Sequence, residues 1–256
     1  MRESTPRHWD EYWRKQAELD DAYSNEQRLI DALLATGPVD GRRVLEVGAG
    51  SGRDAVRLAG LGADVTVLDY VASSLEVVER NAARAGVRVG LVRADALRAP
   101  FADGTFDVVL HQGLLEHFRD PRPLLAENRR VLRDGGLAVV DVPQRWHAYT
   151  VVKKALIAAD RWFAGWETEY SPAQLAALMA GAGFEVTATF GDWMVPSLLY
   201  RAARRVLADT GVARLPQQPV LVPAVHRARG RLRDAVRERP AAAWTFATVG
   251  VVGRKA

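Results

Sequence analysis

The stretch VLEVGAGSGRDAVRLA, residues 44–59, decides how the chain is read. An apolar run enters three alternating glycines, and a segment with helical spacing leaves them. That is the layout of a strand, a phosphate- or nucleoside-binding turn and a helix. A dinucleotide turn needs G-x-G-x-x-G, its third glycine allowing the helix to pack closely on the strand. Gly48 and Gly50 fit, but Arg53 stands at the third position and Gly52 comes one residue early. Glu46 sits two residues before the first glycine. A carboxylate there repels a pyrophosphate and suits a ligand carrying an ammonium group.

Outward from this loop, short β-branched runs alternate with helical periodicity. Strands are expected over residues 43–47, 64–68, 88–92, 106–110, 137–142, 184–189 and 245–253. Helices are expected over 54–61, 73–85 and 121–132. Ser73 or Ser74 is expected to cap the second, Pro121 to open the third, and the RDGG of residues 133–136 to close it. Ser171 and Pro172 open a further helix. Runs such as FDVVL and LAVVDV are apolar throughout, as in strands covered on both faces. The pattern implies a doubly wound α/β sheet with right-handed crossovers.

In such sheets ligands lie beyond the carboxyl ends of the strands. The strand VTVLDY ends at Asp69, placed to accept both hydroxyls of a ribose. The next ends at Asp95, placed either to accept an adenine amine or to cap a turn. Both point to a nucleoside without choosing among nucleosides.

Taken in order, VLEVGAGSGRDAVRLA, VTVLDY, RADALRAPFADGTFDVVLHQGLLEHF and RVLRDGGLAVVDVP resemble the successive motifs of class I S-adenosylmethionine-dependent methyltransferases. The similar branch is the small-molecule one that includes quinone-biosynthesis enzymes. The resemblance spans about residues 40–190 and resumes at the last strand. It implies a Rossmann-like, mostly parallel sheet of seven strands, helices on both faces, the last strand antiparallel and inserted between the fifth and sixth. It also implies S-adenosyl-L-methionine as cofactor and S-adenosyl-L-homocysteine as product. Gly48, Ala49, Gly50 and Gly52 would form the loop beneath the methionine part, with Glu46 toward its amino end. Asp69 would hold the ribose, Tyr70 would stack beside the adenine, and Asp95 and Ala96 would meet its edge. His111 and Gln112 would lie under the methionine, and Tyr12 would face the sulfonium from an N-terminal helix, a place Tyr23 could also fill.

For transfer to a hydroxyl a proton acceptor is needed, and the candidates are His111, His147 and His117. The HQGLLEHF after the fourth strand lacks the Asn/Asp-Pro-Pro-aromatic pattern of enzymes that methylate amino groups of bases or glutamine. Oxygen is therefore the expected acceptor atom, with carbon or a small-molecule amine as alternatives. An apolar or aromatic acceptor fits the ring-rich stretch of residues 147–171. A nicotinamide-dependent oxidoreductase, a nucleic-acid or protein methyltransferase and a non-catalytic adenosylmethionine binder are the competing readings.

The chain is expected to be one domain over 1–256. It divides into an N-terminal helical lid (1–36), a cofactor-binding core (40–192), a helical insertion (193–243) and the last strand (244–256). Trp9 and Trp13 share one face of the lid helix and read as a core-facing stripe. In the insertion Val225, Ala228, Leu232 and Val236 mark an apolar face. Between Arg201 and Arg239 ten arginines stand against three acidic residues, although the whole chain carries only +4. Core packing, a substrate lid or peripheral contact with a membrane surface would each explain that segment. It lacks interleaved aromatics for base stacking, which argues against a nucleic-acid partner. With no cysteine, no signal-peptide pattern at residues 1–13 and no apolar run of bilayer length, a cytoplasmic protein without disulfide or metal site is expected.

Overall fold

The computed structural model describes residues 5–15, 27–162, 164–216, 228, 230–233, 235, 236 and 239–256. Its sheet has seven strands: β1 (Arg43–Val47), β2 (Asp64–Asp69), β3 (Gly90–Arg93), β4 (Phe106–Gln112), β5 (Leu132–Pro143), β6 (Phe184–Asp192) and β7 (Thr248–Lys255). The order is β3-β2-β1-β4-β5-β7-β6. The pairs among β1 to β5 are parallel, and β7 runs antiparallel to both β5 and β6. The expected insertion of the last strand is found.

Strand alternation sorts the core into two layers. Val44, Val108, Leu110 and Val139 pack with α2 (Arg28–Leu34), α3 (Arg53–Gly60) and α4 (Ala72–Ala85) through Leu29, Leu33, Leu58 and Val78. Leu45, Val109, Val140 and Val142 face α5 (Arg122–Val131) and α7 (Pro172–Gly181) through Leu124, Leu125, Leu175 and Met179. Ahead of these stands α1 (Pro6–Lys15); α6 (Ala148–Ala158) follows β5, and α8 (Leu198–Asp209) follows β6.

Several boundaries differ from expectation for local reasons. The N-cap of α4 is Val71, and the two serines lie inside its first turn. Ser74 Oγ is instead 2.9 Å from both Gly50 O and Asp69 Oδ2, and Ser73 Oγ donates to Asp10 O of α1. Pro121 is the N-cap of α5 rather than its first residue. That helix runs straight into β5, so RDGG is no helix stop. The four residues lie in a bulge where the register passes from Leu132 opposite Phe106 to Leu137 opposite Val108. A Cβ on Gly136 would come within 2.8 Å of Arg133 O and 3.1 Å of Asp107 O, so the backbones can pass only with glycine there. The last strand begins at 248, because residues 240–244 form a 3-10 turn tied down by Gln144 Nε2 donating to Trp244 O. The helix opened by Ser171 has the full capping box with Gln174.

In the insertion, α8 exposes Leu199 and Val206, and further on Leu232 is exposed while Val236 packs against the core. Tyr23 and Val225 lie outside the described residues. Among the described residues no helix is long and apolar enough to cross a membrane.

One buried ion pair fastens α2 to the sheet. Arg28 Nε and NH2 donate to the two carboxylate oxygens of Asp141 in β5 at 2.7 and 2.5 Å, with both side chains almost fully buried. Removing one partner leaves the other charge in the core. Arg28→Ala is therefore expected to lose about 3–5 kcal/mol of unfolding free energy. Urea denaturation checks this, and a loss under 1 kcal/mol would contradict it.

Candidate functional site

Two cavities meet at the carboxyl ends of the strands. The larger, about 650 Å³, opens where the chain leaves β1 toward β2 and returns on the other side to β4. Such a reversal of strand order leaves a crevice that no crossover helix covers. Its floor is Glu46 and the loop Gly48–Gly50. One wall carries Asp69, Tyr70, Asp95 and Ala96, the other Gln112 and Gly113. Trp9 and Trp13 of α1 close the top.

The loop's glycines serve different ends. Gly48 and Gly50 adopt φ of 64° and 56° and border the cavity. Gly52, also left-handed, instead lies against α4, where a Cβ would stand 2.6 Å from Val78 Cγ1. It sets helix packing and does not line the cavity. Arg53 and Asp54 in the first turn of α3 do line it.

The cavity is markedly acidic. Glu46 is buried and its Oε2 has no hydrogen-bond partner. Burial, and then nearby Asp54, push its carboxyl well above the usual range. Burial also raises Asp54 and Asp69. Asp69 Oδ1 accepts from Val71 N, and Oδ2 faces Ser74 Oγ, which fixes the carboxylate's orientation. Asp95 Oδ1 accepts from Leu97 N, so this residue both shapes a turn and borders the cavity. The Tyr70 hydroxyl is pushed up to about 12 by burial and by Asp69 and Asp95, and stays neutral. Gln112, with its amide turned to satisfy its neighbours, donates to Asp54 Oδ2 at 3.0 Å and accepts from Arg28 NH2 at 2.7 Å. The cavity wall is thereby joined to the Arg28–Asp141 pair.

The second cavity, about 260 Å³, shares Trp9, Trp13, Gly113 and His117 with the first. Tyr12 faces this one and not the larger cavity, while Trp9 and Trp13 face both. The tryptophans expected to be a core-facing stripe thus form the partition, and Tyr12, expected to face the sulfonium, lines only the smaller cavity. The neighbouring rings explain it: Tyr12 meets Trp9 and Trp13 edge-on, at centroid distances of 5.7 and 5.1 Å.

The three histidines separate clearly. His111 is fully buried on the α5–α7 face of β4, beside Val140, and lines neither cavity. Neither ring nitrogen has a partner, and burial pushes its pKa down to about 4. His111 was expected to contact the methionine part and to take a proton, yet the residue bordering the larger cavity is its neighbour, Gln112. His147 is the N-cap of α6, its Nδ1 accepting from Tyr149 N at 3.1 Å, and it also lines neither cavity. His117 borders both, with Nδ1 unpartnered and its pKa lowered by burial. Asp54, Glu116 and Lys153 also border these spaces, although no local pattern in the sequence singles them out.

Fold and site together define an α/β protein with an acidic crevice where its strand order reverses, holding an unpartnered buried carboxyl, a glycine loop and an acidic residue at the end of β2. The description "Methyltransferase domain" fits residues 45–140. A ubiquinone biosynthesis O-methyltransferase of Azorhizobium caulinodans is 31% identical over 185 residues, covering 68% of this chain and 70% of that protein. A demethylmenaquinone methyltransferase of Clavibacter sepedonicus is 41% identical over 111 residues, covering 43% of this chain and 45% of its own length. Among solved structures, a SAM-dependent methyltransferase of Thermotoga maritima superposes with a TM-score of 0.64 at 21% identity, covering 98% of this chain and 97% of that one. This chain belongs to the class I S-adenosylmethionine-dependent methyltransferases, in the small-molecule branch that includes quinone-biosynthesis enzymes. Its cofactor is S-adenosylmethionine and its product S-adenosylhomocysteine; the oxidoreductase and non-catalytic readings fall away.

The sealed His111 carries a pH signature. Its folded pKa of about 4 lies below the ordinary 6.5, so the unfolded chain binds the proton first as pH falls. The resulting stability is complete above about pH 6.5 and is lost between there and about pH 4. Relative to His111→Leu, the wild type is expected to lose about 2 kcal/mol between pH 7 and pH 5. Urea unfolding at the two pH values tests it; equal losses in both proteins would place the proton elsewhere.

Proposed function

We propose that the larger cavity holds S-adenosylmethionine and that the methyl group passes to an oxygen of a small acceptor in the adjoining cavity. The observation that best supports the donor assignment is Glu46, a buried carboxyl with an unpartnered oxygen in a cavity already holding Asp54 and Asp69. A group so placed calls for a cation, and the amino-acid end of the donor carries one. In this reading Gly48, Ala49 and Gly50 pass beneath the methionine part. Asp69 holds the ribose hydroxyls, Tyr70 packs on the adenine, and Asp95 and Ala96 meet its edge. Gln112 holds Asp54 in place through its amide.

When bound, S-adenosylmethionine supplies a methyl on a sulfonium centre with a good leaving group. The protein's task is then alignment and exclusion of water. Trp9 and Trp13 do the second by roofing the partition. Gly113, with φ of 66° and no side chain, leaves the partition thin. His117, the one histidine of the three on both cavities, is assigned a hydrogen-bonding role there. Oxygen as acceptor atom is supported by the absence of an amine-type motif after β4 and by the O-methyltransferase relative, 70% of whose length this chain covers. The aromatic walls of the second cavity, among them Tyr12, Tyr149 and Trp162, favour an apolar or ring-bearing acceptor.

Two measurements test the reading. Asp69→Asn is expected to weaken S-adenosylhomocysteine binding roughly tenfold or more in calorimetry, and NADH is expected not to bind. Incubation with methyl-labelled S-adenosylmethionine and an extract of the producing cells is expected to label a small, alkali-stable ether. Label on nitrogen, or on macromolecules, would refute the oxygen and small-molecule assignments respectively.

A further inference from the structure

The second cavity borders a charge array, reaching from buried Lys153 and Glu167 out to half-exposed Lys154, that the transfer reading leaves unused. Lys153 of α6, 1% exposed, reaches Glu167 at 2.6 Å and Glu169 at 3.2 Å. Lys154 reaches the other oxygen of Glu169 at 3.2 Å. Trp162 Nε1 donates to the other oxygen of Glu167 at 2.7 Å. Two ammonium groups thus balance two carboxylates, and Glu167 is engaged at both oxygens. Glu116 is the odd carboxyl. It borders the same cavity, is 3% exposed, and its Oε2 has no hydrogen-bond partner. Its backbone is pinned by Thr168 N donating to Glu116 O at 2.9 Å. A buried carboxyl oxygen without a partner is costly, and because the residue borders the cavity, a small turn of its side chain toward a ligand donor there would relieve that cost.

We infer that Glu116, rather than any of the histidines, is the residue that holds the acceptor: the acceptor's hydroxyl donates its hydrogen to Glu116 Oε2. This rests on the assignment of the larger cavity to the methyl donor, since the shared partition of Gly113 and His117 is what sets that hydroxyl beside the transferred group. A hydroxyl bonded to a carboxylate carries more negative charge on its oxygen, which makes it a better nucleophile. An acceptor lacking the hydroxyl leaves Oε2 unpartnered and is rejected by the same cost that marks the site in the free protein.

The charge on Glu116 is set by its neighbours. Burial comes first and Glu167 second in raising its pKa well above the ordinary carboxylate range, Asp141 of β5 adds to them, and Lys153 opposes them. Of the other groups around it, Tyr149 and Tyr170 are pushed up to about 12 and His117 down, so all three are neutral near pH 7. Tyr12 of α1 lies across the cavity. As pH rises through the raised pKa, Glu116 passes from carboxylic acid to carboxylate and becomes a stronger acceptor for the hydroxyl.

The test is binding, not turnover. The full chain, saturated with S-adenosylhomocysteine, is titrated with 2-naphthol and with naphthalene, which share the ring system and differ in the hydroxyl. The wild type is expected to prefer 2-naphthol by roughly tenfold, and the preference is expected to grow with pH. Glu116→Leu is expected to abolish the preference while leaving naphthalene and S-adenosylhomocysteine affinities within about twofold. Glu116→Gln, whose amide oxygen still accepts, is expected to keep part of the preference and lose its pH dependence. That variant carries the test if the leucine variant does not fold. A preference that survives in Glu116→Leu, a pH-independent preference in the wild type, or failure of both rings to bind would overturn the inference. Failure of the wild type to bind S-adenosylhomocysteine would overturn the donor assignment itself, and the inference with it.

Discussion

The structure depends on one topological constraint. The parallel strands β1, β2, β4 and β5 are covered on both faces, so the crossover helices leave only the strand ends open. From β1 the chain turns one way to β2 and β3, and then returns to place β4 on the other side of β1. At that reversal the connections diverge and a crevice is unavoidable. The polar side chains that burial would exclude elsewhere, Glu46, Asp69, Gln112 and Asp141, stand at the carboxyl ends of these strands.

Strand alternation then divides the labour between the two sides of the sheet. Gln112 and Asp141 are register partners and belong to the α2–α3 side, where Arg28 and Asp54 complete a hydrogen-bonded chain under the larger cavity. His111 and Val140 are the preceding partners and belong to the α5–α7 side, among apolar neighbours. A shift of one residue in β4 would exchange these environments, placing a histidine in the polar chain and an amide in the core. The same alternation accounts for the depressed pKa of His111 and for the satisfied amide of Gln112.

How much of this was legible in the sequence follows from how local each signal is. The apolar runs of β1, β4 and β5, the glycine loop and the helix start at Ser171 are local patterns, and each appears where expected. The acidic residue ending β2 was legible for the same reason. By contrast, which of His111 and Gln112 borders the larger cavity depends on a register set by distant strands. Gly135 and Gly136 read as a helix stop because helix termini and bulges both use glycine. Lys153 and Glu116 carry no local signal, since their burial comes from segments far apart in the chain. The partition by Trp9 and Trp13 likewise depends on where α1 is seated, and a helical stripe says only that one face is covered.

This division between local and distant signals matches a division of function. The larger cavity is built mainly from the sheet and its first turns, whose geometry the parallel register enforces. The second cavity is assembled from α1, the turn after β4, α6 and the segment before α7, held together by a salt-bridged array rather than by strand pairing. Apart from the shared Trp9, Trp13, Gly113 and His117, its lining residues do not border the larger cavity, so on the proposed assignment substitutions at Glu116, Tyr149, Lys153 or Trp162 change acceptor preference while the donor site stays fixed. Charge reinforces the asymmetry. On the proposed assignment the larger cavity, acidic through Glu46, Asp54, Asp69 and Asp95, attracts a donor with a positive sulfonium more strongly than a product in which that charge is gone. The same carboxylates that hold the donor therefore favour release of S-adenosylhomocysteine, and the rigid half of the site supplies this bias whatever acceptor the other half selects.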